Sequence, residues 1–203
     1  KVDDIEERQS HVNWEALATS SGAYALKDSY DENVIAAMVS GAGTTTGSDG
    51  SGSDTGFGSS EVDPMDILAN SAKIHHGNDV PTDNRWFLAS PEFYEQLGNA
   101  SSKLMDASVT GDASSPLRNG QVINGMVNGF KLYMTNNFAA SSTSNYYKVL
   151  SGHMSSTATA NAIAKTEVVR DQESFADIVR GLHVFGRKVL RSDALQCRHL
   201  LID

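Results

Sequence analysis

The sequence predicts an α+β fold in which one long helix near the start of the chain is matched by long strands near its end. Three observations carry this. From about Asp4 to Val39 there is no proline, and small or straight-chain residues dominate, so nothing in the backbone chemistry forces a break before Gly41. From Phe175 to Leu190, FADIVRGLHVFGRKVL is dense in Val, Ile, Leu and Phe, the residues of extended chain, with Gly181 and Gly186 as expected bends. Between them, Trp86-Phe87-Leu88-Ala89 reads as a short buried strand leading into a helix that Ser90 caps, Pro91 opens and Gly98 stops.

A helix of roughly 35 residues runs about 50 Å, too long to hide inside a domain of this size, so it should act as a strut. Ile178 to Leu190, fully extended, spans about 43 Å. The matching lengths predict that helix and strands lie against each other. Trp14, Leu17, Tyr24, Leu26, Val34, Ile35 and Met38 supply apolar contacts along the helix without forming one clean stripe, and Ala16, Ala18, Ala23 and Ala25 allow close approach. Asp3, Asp4, Glu6 and Glu7 fall in what would be its first turns, where they complement the positive end of the helix dipole.

Residues 41–60, GAGTTTGSDGSGSDTGFGSS, read as a flexible loop. A second helix starts at Asp63-Pro64, with Asp63 as its cap, and Gly77 marks its stop. Met65, Leu68 and Ala72 mark one face of it. From Asn99 to Gln121 the chain reads as mostly loop. Val122-Ile123, Asn124-Gly125 and Met126-Val127 predict a tight turn between short strands, followed by strands over Gly129–Met134, Tyr146–Leu150 and Ala162–Arg170, with Ser/Thr clusters at 141–144 and 155–159 between them.

Composition excludes several functions. Hydrophobic content of 39 % and aromatics at 7 % suit a thin or loop-rich body better than a compact enzyme. The formal charge of −9 argues against non-specific nucleic-acid binding, which needs a surplus of Lys and Arg to neutralise phosphates. No apolar run approaches the roughly 18 residues that span a bilayer, so no membrane partner is expected. The chain opens on Lys rather than Met, which predicts further residues upstream.

The motifs point the same way. Residues 41–60 hold no lysine and so cannot form a phosphate-cradling loop, and Asp49 and Asp54 lack the alternating ligands and closing glutamate of a calcium loop. Ser90 has Leu88 and Glu92 where a nucleophile elbow needs glycines. Cys197, the single cysteine, rules out an internal disulfide; beside His199 it could form a thiol–imidazole pair, but its position favours a small buried hydrophobe. His75 and His76, with Asp79 or Asp83, are the only metal-ligand candidates. Adjacent histidines on a helix point in different directions, and cations favour helix C-termini in any case, so no metal, cofactor or catalytic residue is assigned. Arg180, Arg187, Lys188 and Arg191 form the main basic cluster, read as ion pairs between subunits or across a sheet face.

An acidic lead-in (VDDIEE) to an Ala-rich helix, a strand–SPEF–helix unit preceded by VPTDNR, a GFKLYMTNN strand and a closing FADIVRGLHVFGRKVLRSDAL together resemble the major capsid proteins of tailed bacteriophages, which have the Hong Kong 97-type shell fold. The resemblance covers most of the chain from Val2 to Leu195. It implies a peripheral domain of spine helix and long β-hairpin or sheet, here residues 1–40 and 160–192. It also implies a mixed α/β axial domain at the capsomer centre, here residues 41–159 and 193–203. In that family an N-terminal arm and an extended loop precede the spine helix, and both are expected to lie outside this chain.

The implied function is that of a structural subunit, not an enzyme, of an icosahedral viral capsid. Its partners would be copies of itself in hexamers and pentamers, other capsid proteins, and double-stranded DNA enclosed without sequence-specific binding. Assembly would take place in the host cytoplasm, and the destination would be the virion. Two alternatives remain: an encapsulin-type nanocompartment shell, similar in fold but enclosing cargo enzymes, and, from a different class, a metal-dependent hydrolase using His75 and His76.

Overall fold

The computed structural model describes residues 2–3, 14–99, 101, 126–172 and 176–202. The chain divides into two compact units, one of Lys1–Val34 with Thr159–Lys188 and the other of Ile35–Ala158 with Val189–Asp203.

The first unit holds most of helix α1 (Trp14–Gly41) and a three-stranded sheet in the order β1-β9-β8, built from β1 (Val2–Asp3), β8 (Thr157–Arg170) and β9 (Ala176–Val189). The long helix is present over Trp14–Gly41. Val2 and Asp3 are extended and pair antiparallel with Asp177 and Ala176, so Asp3 is not in a helical first turn. Freedom from proline permits a helix without requiring one, and here the unpaired edge of β9 takes up the backbone groups of these two residues. The expectations for Asp4, Glu6 and Glu7 lie outside the described residues. β8 also begins earlier than the sequence suggested: Thr157 and Thr159, in a Ser/Thr cluster read as lying between strands, are strand, in keeping with the β preference of threonine.

Leu26 of α1 packs on Gly181 of β9, where an added Cβ would stand 2.6 Å from Leu26 Cδ1. That glycine lies within a continuous strand and gives the helix room to approach. One turn further on, the Tyr30 ring lies 4.8 Å from Phe185 and 5.4 Å from His183. Ala18, Thr19, Gly22 and Ala25 leave a groove of about 280 Å³ against Thr166, Val179 and Gly181, because small side chains on both sides do not fill the space.

The second unit is built on a seven-stranded mixed sheet. Its strands are β2 (Thr44–Thr46), β3 (Ser53–Thr55), β4 (Arg85–Ala89), β5 (Met126–Val127), β6 (Phe130–Met134), β7 (Tyr146–His153) and β10 (Leu195–Ile202). They run in the order β2-β10-β7-β4-β6-β5, with β3 also on β10. Helices α2 (Pro64–Gly77) and α3 (Pro91–Leu97) complete it among the described residues. Asp63 caps α2 as expected, its Oδ1 accepting from the Met65 amide at 2.7 Å. Ser90 occupies the cap position of α3, but its hydroxyl makes no capping bond and lies buried without a partner.

Two segments differ from the sequence reading. Residues 41–60 are not a free loop: Thr44–Thr46 and Ser53–Thr55 add to β10 in parallel, with Gln196 opposite Thr44 and Leu200 opposite Ser53. Gly47 and Gly50, both at φ +77, make the turns, and Asp49 ties the tip by accepting from the Ser142 amide at 3.1 Å and from the Ser141 hydroxyl. These bonds hold the Asp49 carboxyl down at about 2. The predicted Asn124-Gly125 turn lies outside the described residues; the tight turn observed is Asn128-Gly129, at φ 49 and 80, between β5 and β6. Both central residues are left-handed, as a two-residue hairpin turn with the right twist requires.

β10 is the spine of this sheet, pairing with β7 from Leu195 opposite Gly152 to Leu201 opposite Tyr146. Around it gathers one core: Ile67 and Leu68 of α2, Phe87 and Ala89 of β4, Phe93, Tyr94 and Leu97 of α3, with Phe130, Leu132, Val149 and Leu200. The Phe87 ring lies 5.5 Å from Phe93 and 6.1 Å from Phe130. No described helix is long and apolar enough to cross a membrane.

Candidate assembly surface

Side chains alternate across a strand, so β9 presents two faces. Val179, Gly181, His183 and Phe185 face α1. Ile178, Arg180, Leu182, Val184 and Lys188 face the other way, where Leu182 is 55 % and Val184 43 % exposed. On that side Glu167 of β8 pairs with Lys165 and lies 3.6 Å from Arg180.

The basic cluster read from the sequence is therefore divided. Arg180 and Lys188 share the outer face. Arg187 falls on the α1 side, its guanidinium 5.7 Å from the Phe185 ring centre. Arg191 follows the strand, in the second unit, where its amide donates to the Ser156 carbonyl at 3.2 Å. The exposed apolar residues Leu182 and Val184 were missed as site residues; the signal was an apolar pattern that did not alternate, which marks a strand with two faces to cover.

The histidines sit elsewhere. His75 is fully buried, its Nε2 3.0 Å from Ser151 Oγ and its ring against Phe130. The Ser151 hydroxyl donates to Gln196 Oε1 at 3.3 Å, so Nε2–H of His75 donates to Ser151 and Nδ1 is the bare nitrogen. Burial, with the Arg85 charge nearby, pushes His75 down to about 4. His76 turns away toward Arg85, 3.4 Å from its guanidinium, while Arg85 Nε donates to the Pro81 carbonyl at 2.7 Å. Asp79 adopts φ 51 in the turn after α2. Among the described residues no group of three or more His, Cys, Asp or Glu is placed to hold a metal ion.

Cys197 is buried in β10, and burial raises its thiol to about 11, the opposite of an activated thiolate. A cleft of about 430 Å³ in the second unit is lined by Ser90, Glu92, Tyr146 and Lys148 among others. It has no nucleophile–base pair within hydrogen-bonding reach among its described residues.

One unit is a helix laid on one face of a thin sheet, and the other is a mixed α/β body whose described titratable groups serve packing. The phage capsid protein family matches residues 12–197, and the chain belongs to that family. Its fold is the Hong Kong 97-type shell fold, as the resemblance to tailed-phage major capsid proteins implied. A chain of Mycobacterium phage Che8 superposes with a TM-score of 0.80 at 30 % identity, covering 97 % of this chain and 66 % of its own length. The capsid of cyanophage P-SCSP1u gives 0.73 at 17 %, covering 98 % and 69 %. The mature capsid of bacteriophage PhiM1 gives 0.69 at 16 %, covering 98 % and 68 %. This chain thus spans about two thirds of the length of the chains it matches. No curated protein matches it.

Proposed function

We propose that the chain is the structural, non-enzymatic subunit of an icosahedral capsid, assembling with copies of itself into hexamers and pentamers that enclose double-stranded DNA. In this reading residues 1–40 and 160–192 are the peripheral domain, and residues 41–159 and 193–203 the axial domain. Other capsid proteins are further partners, assembly takes place in the host cytoplasm, and the product is the virion shell. Family membership over residues 12–197 is the observation that carries it. Supporting it is the physical state of the Lys1–Val34/Thr159–Lys188 unit, a two-layer body that leaves Leu17, Tyr24, Leu182 and Val184 open and needs neighbours to cover them. Arg180, Arg187, Lys188 and Arg191 are proposed as contacts between subunits. The acidic total charge lets packaged DNA be contained without adhesion.

Electron microscopy of particles made by the full-length protein tests this directly. Closed shells containing nucleic acid are expected. Shells filled with a cargo enzyme instead would favour the nanocompartment, and a protein that stayed monomeric under all assembly conditions would end the shell reading. Nothing favours the hydrolase: His75 is sealed beneath the sheet by Ser151 and Phe130.

A further inference from the structure

We propose that Arg198 and the neighbouring Gln196 side-chain amide form an oxyanion site in the second unit, one that holds a phosphate or carboxylate group. The site stands apart from the surface described above and does not rest on the shell reading.

The position of Arg198 is the first argument. Side chains alternate along β10, so Gln196, Arg198, Leu200 and Ile202 share one face. Leu200 and Ile202 enter the core from that face, and Val149, opposite Arg198 on β7, does the same. Arg198 is 6 % exposed there, a charged side chain in a row that packing would fill with an apolar one. Taking a guanidinium out of water is unfavourable unless hydrogen bonds and an opposite charge replace the water. Neither is supplied among the described residues. Nε is sealed from solvent without a partner, and no hydrogen bond or ion pair reaches the Nη atoms. Burial lowers the group, with no carboxylate acting against that shift.

Arg85 shows how this chain treats a buried guanidinium whose role is structural. It is 3 % exposed, yet Nε donates to the Pro81 carbonyl at 2.7 Å and Nη2 donates to the Val80 carbonyl. Nothing comparable is arranged around Arg198, whose donors are left for an acceptor from outside.

Gln196 carries a second unused donor on the same face. Its Oε1 accepts from the Ser151 hydroxyl at 3.3 Å, while its Nε2 is buried and has no partner. Two residues of strand place Gln196 and Arg198 about 6.6 Å apart, near enough for one oxyanion to accept from both. A buried water could satisfy either donor but would leave the guanidinium charge uncompensated, and a cation meets only donors. The planar fork of arginine suits the paired oxygens of a carboxylate or a phosphate. Such a group has two sources: free phosphate, or an Asp or Glu side chain of a second copy.

Thermal melts of the full-length protein, as unassembled subunits and as particles, test the site and separate its sources. In chloride, subunits of Arg198→Met should melt at or above the parent, because the variant removes an uncompensated charge and keeps the side-chain length. Sodium phosphate at matched ionic strength should raise the parent by about 3 °C or more and the variant by less than about 1 °C. Gln196→Glu brings its own negative charge to the site and should also lose the phosphate response while staying folded. Calorimetry should find one phosphate per parent subunit and none in either variant. If a second copy supplies the carboxylate, the phosphate response disappears on assembly and Arg198→Met lowers particle yield; if the ion is free phosphate, the response persists in particles. Equal phosphate responses in parent and variants, no response in the parent, or an Arg198→Met subunit melting well below the parent in chloride would overturn the site. The subunit measurements need no particle, so a failure of the shell reading would leave them standing.

Discussion

His75 Nε2 lies 3.0 Å from Ser151 Oγ, joining the end of α2 to the middle of β7 inside the larger unit. The pair makes stability sensitive to pH in a definite direction. Burial lowers the ring from its ordinary 6.5 to about 4, and the positive charges of Arg85, His76 and His153 act the same way. The unfolded chain therefore binds this proton before the folded one does. Stability is full above about pH 6.5 and falls as the pH drops toward 4, by about 3 kcal/mol from this group. Urea titrations at pH 7.5, 6, 5 and 4.5 should show that fall, and His75→Leu should flatten most of it. An unchanged slope in the variant would assign the effect to other groups, with His199, also lowered by burial, first among them.

Phe87 stands where β4, α3 and β6 meet, fully buried between Phe93 and Phe130. Truncation to alanine removes its ring contacts with Phe93 and Phe130 and leaves a cavity between them. The expected cost is about 3–5 kcal/mol, read as a lower denaturation midpoint with an unchanged slope. A loss under about 1 kcal/mol would mean that this core is loosely packed.

Cys197 should resist alkylation in the folded protein. It has no exposed surface, and its thiol, raised to about 11, offers little thiolate at neutral pH. Iodoacetamide at pH 8 should modify it only at the rate of unfolding, measured by mass spectrometry, and promptly after denaturation. Rapid labelling of native protein would show that β10 leaves the sheet readily.

The sequence disclosed those parts of the fold that local chemistry writes. Asp63-Pro64 opened α2, and Pro91 with Gly98 bracketed α3, because helix starts and stops are written within a few residues. Strands made by distant partners were less visible. LQCRHLLI carries Gln196, Arg198 and His199 among its apolar residues, so it does not read as the most buried strand in the chain, although all three polar side chains are buried there. Likewise Val2 and Asp3 become a strand only through β9. The basic cluster of the candidate surface was legible as a composition. Its division between two faces needed the direction each side chain takes from the strand, with Arg187 going to Phe185 and Lys188 away from it.

The segment 41–60 gives the sharpest test of how far composition misleads. Its Gly/Ser/Thr content reads as a tether, yet Gly52 lies so close to β10 that an added Cβ would stand 2.5 Å from the His199 carbonyl oxygen and 2.7 Å from its carbon. Glycine is required there by contact with backbone that cannot move aside without breaking the β3 pairing at Leu200–Ile202. Gly52→Ala should therefore lift β3 off β10 and expose residues 44–55 to protease, with a stability loss of about 1–3 kcal/mol. Gly58 provides the control in the same segment, since the atoms an added Cβ would meet belong to the Glu61 side chain, which can swing clear. Limited proteolysis of the parent should leave 41–60 intact at protease levels that cut Gly52→Ala within it. Cleavage of both at equal rates would return the segment to a loop, and with it the parallel pairing that makes β10 an interior strand.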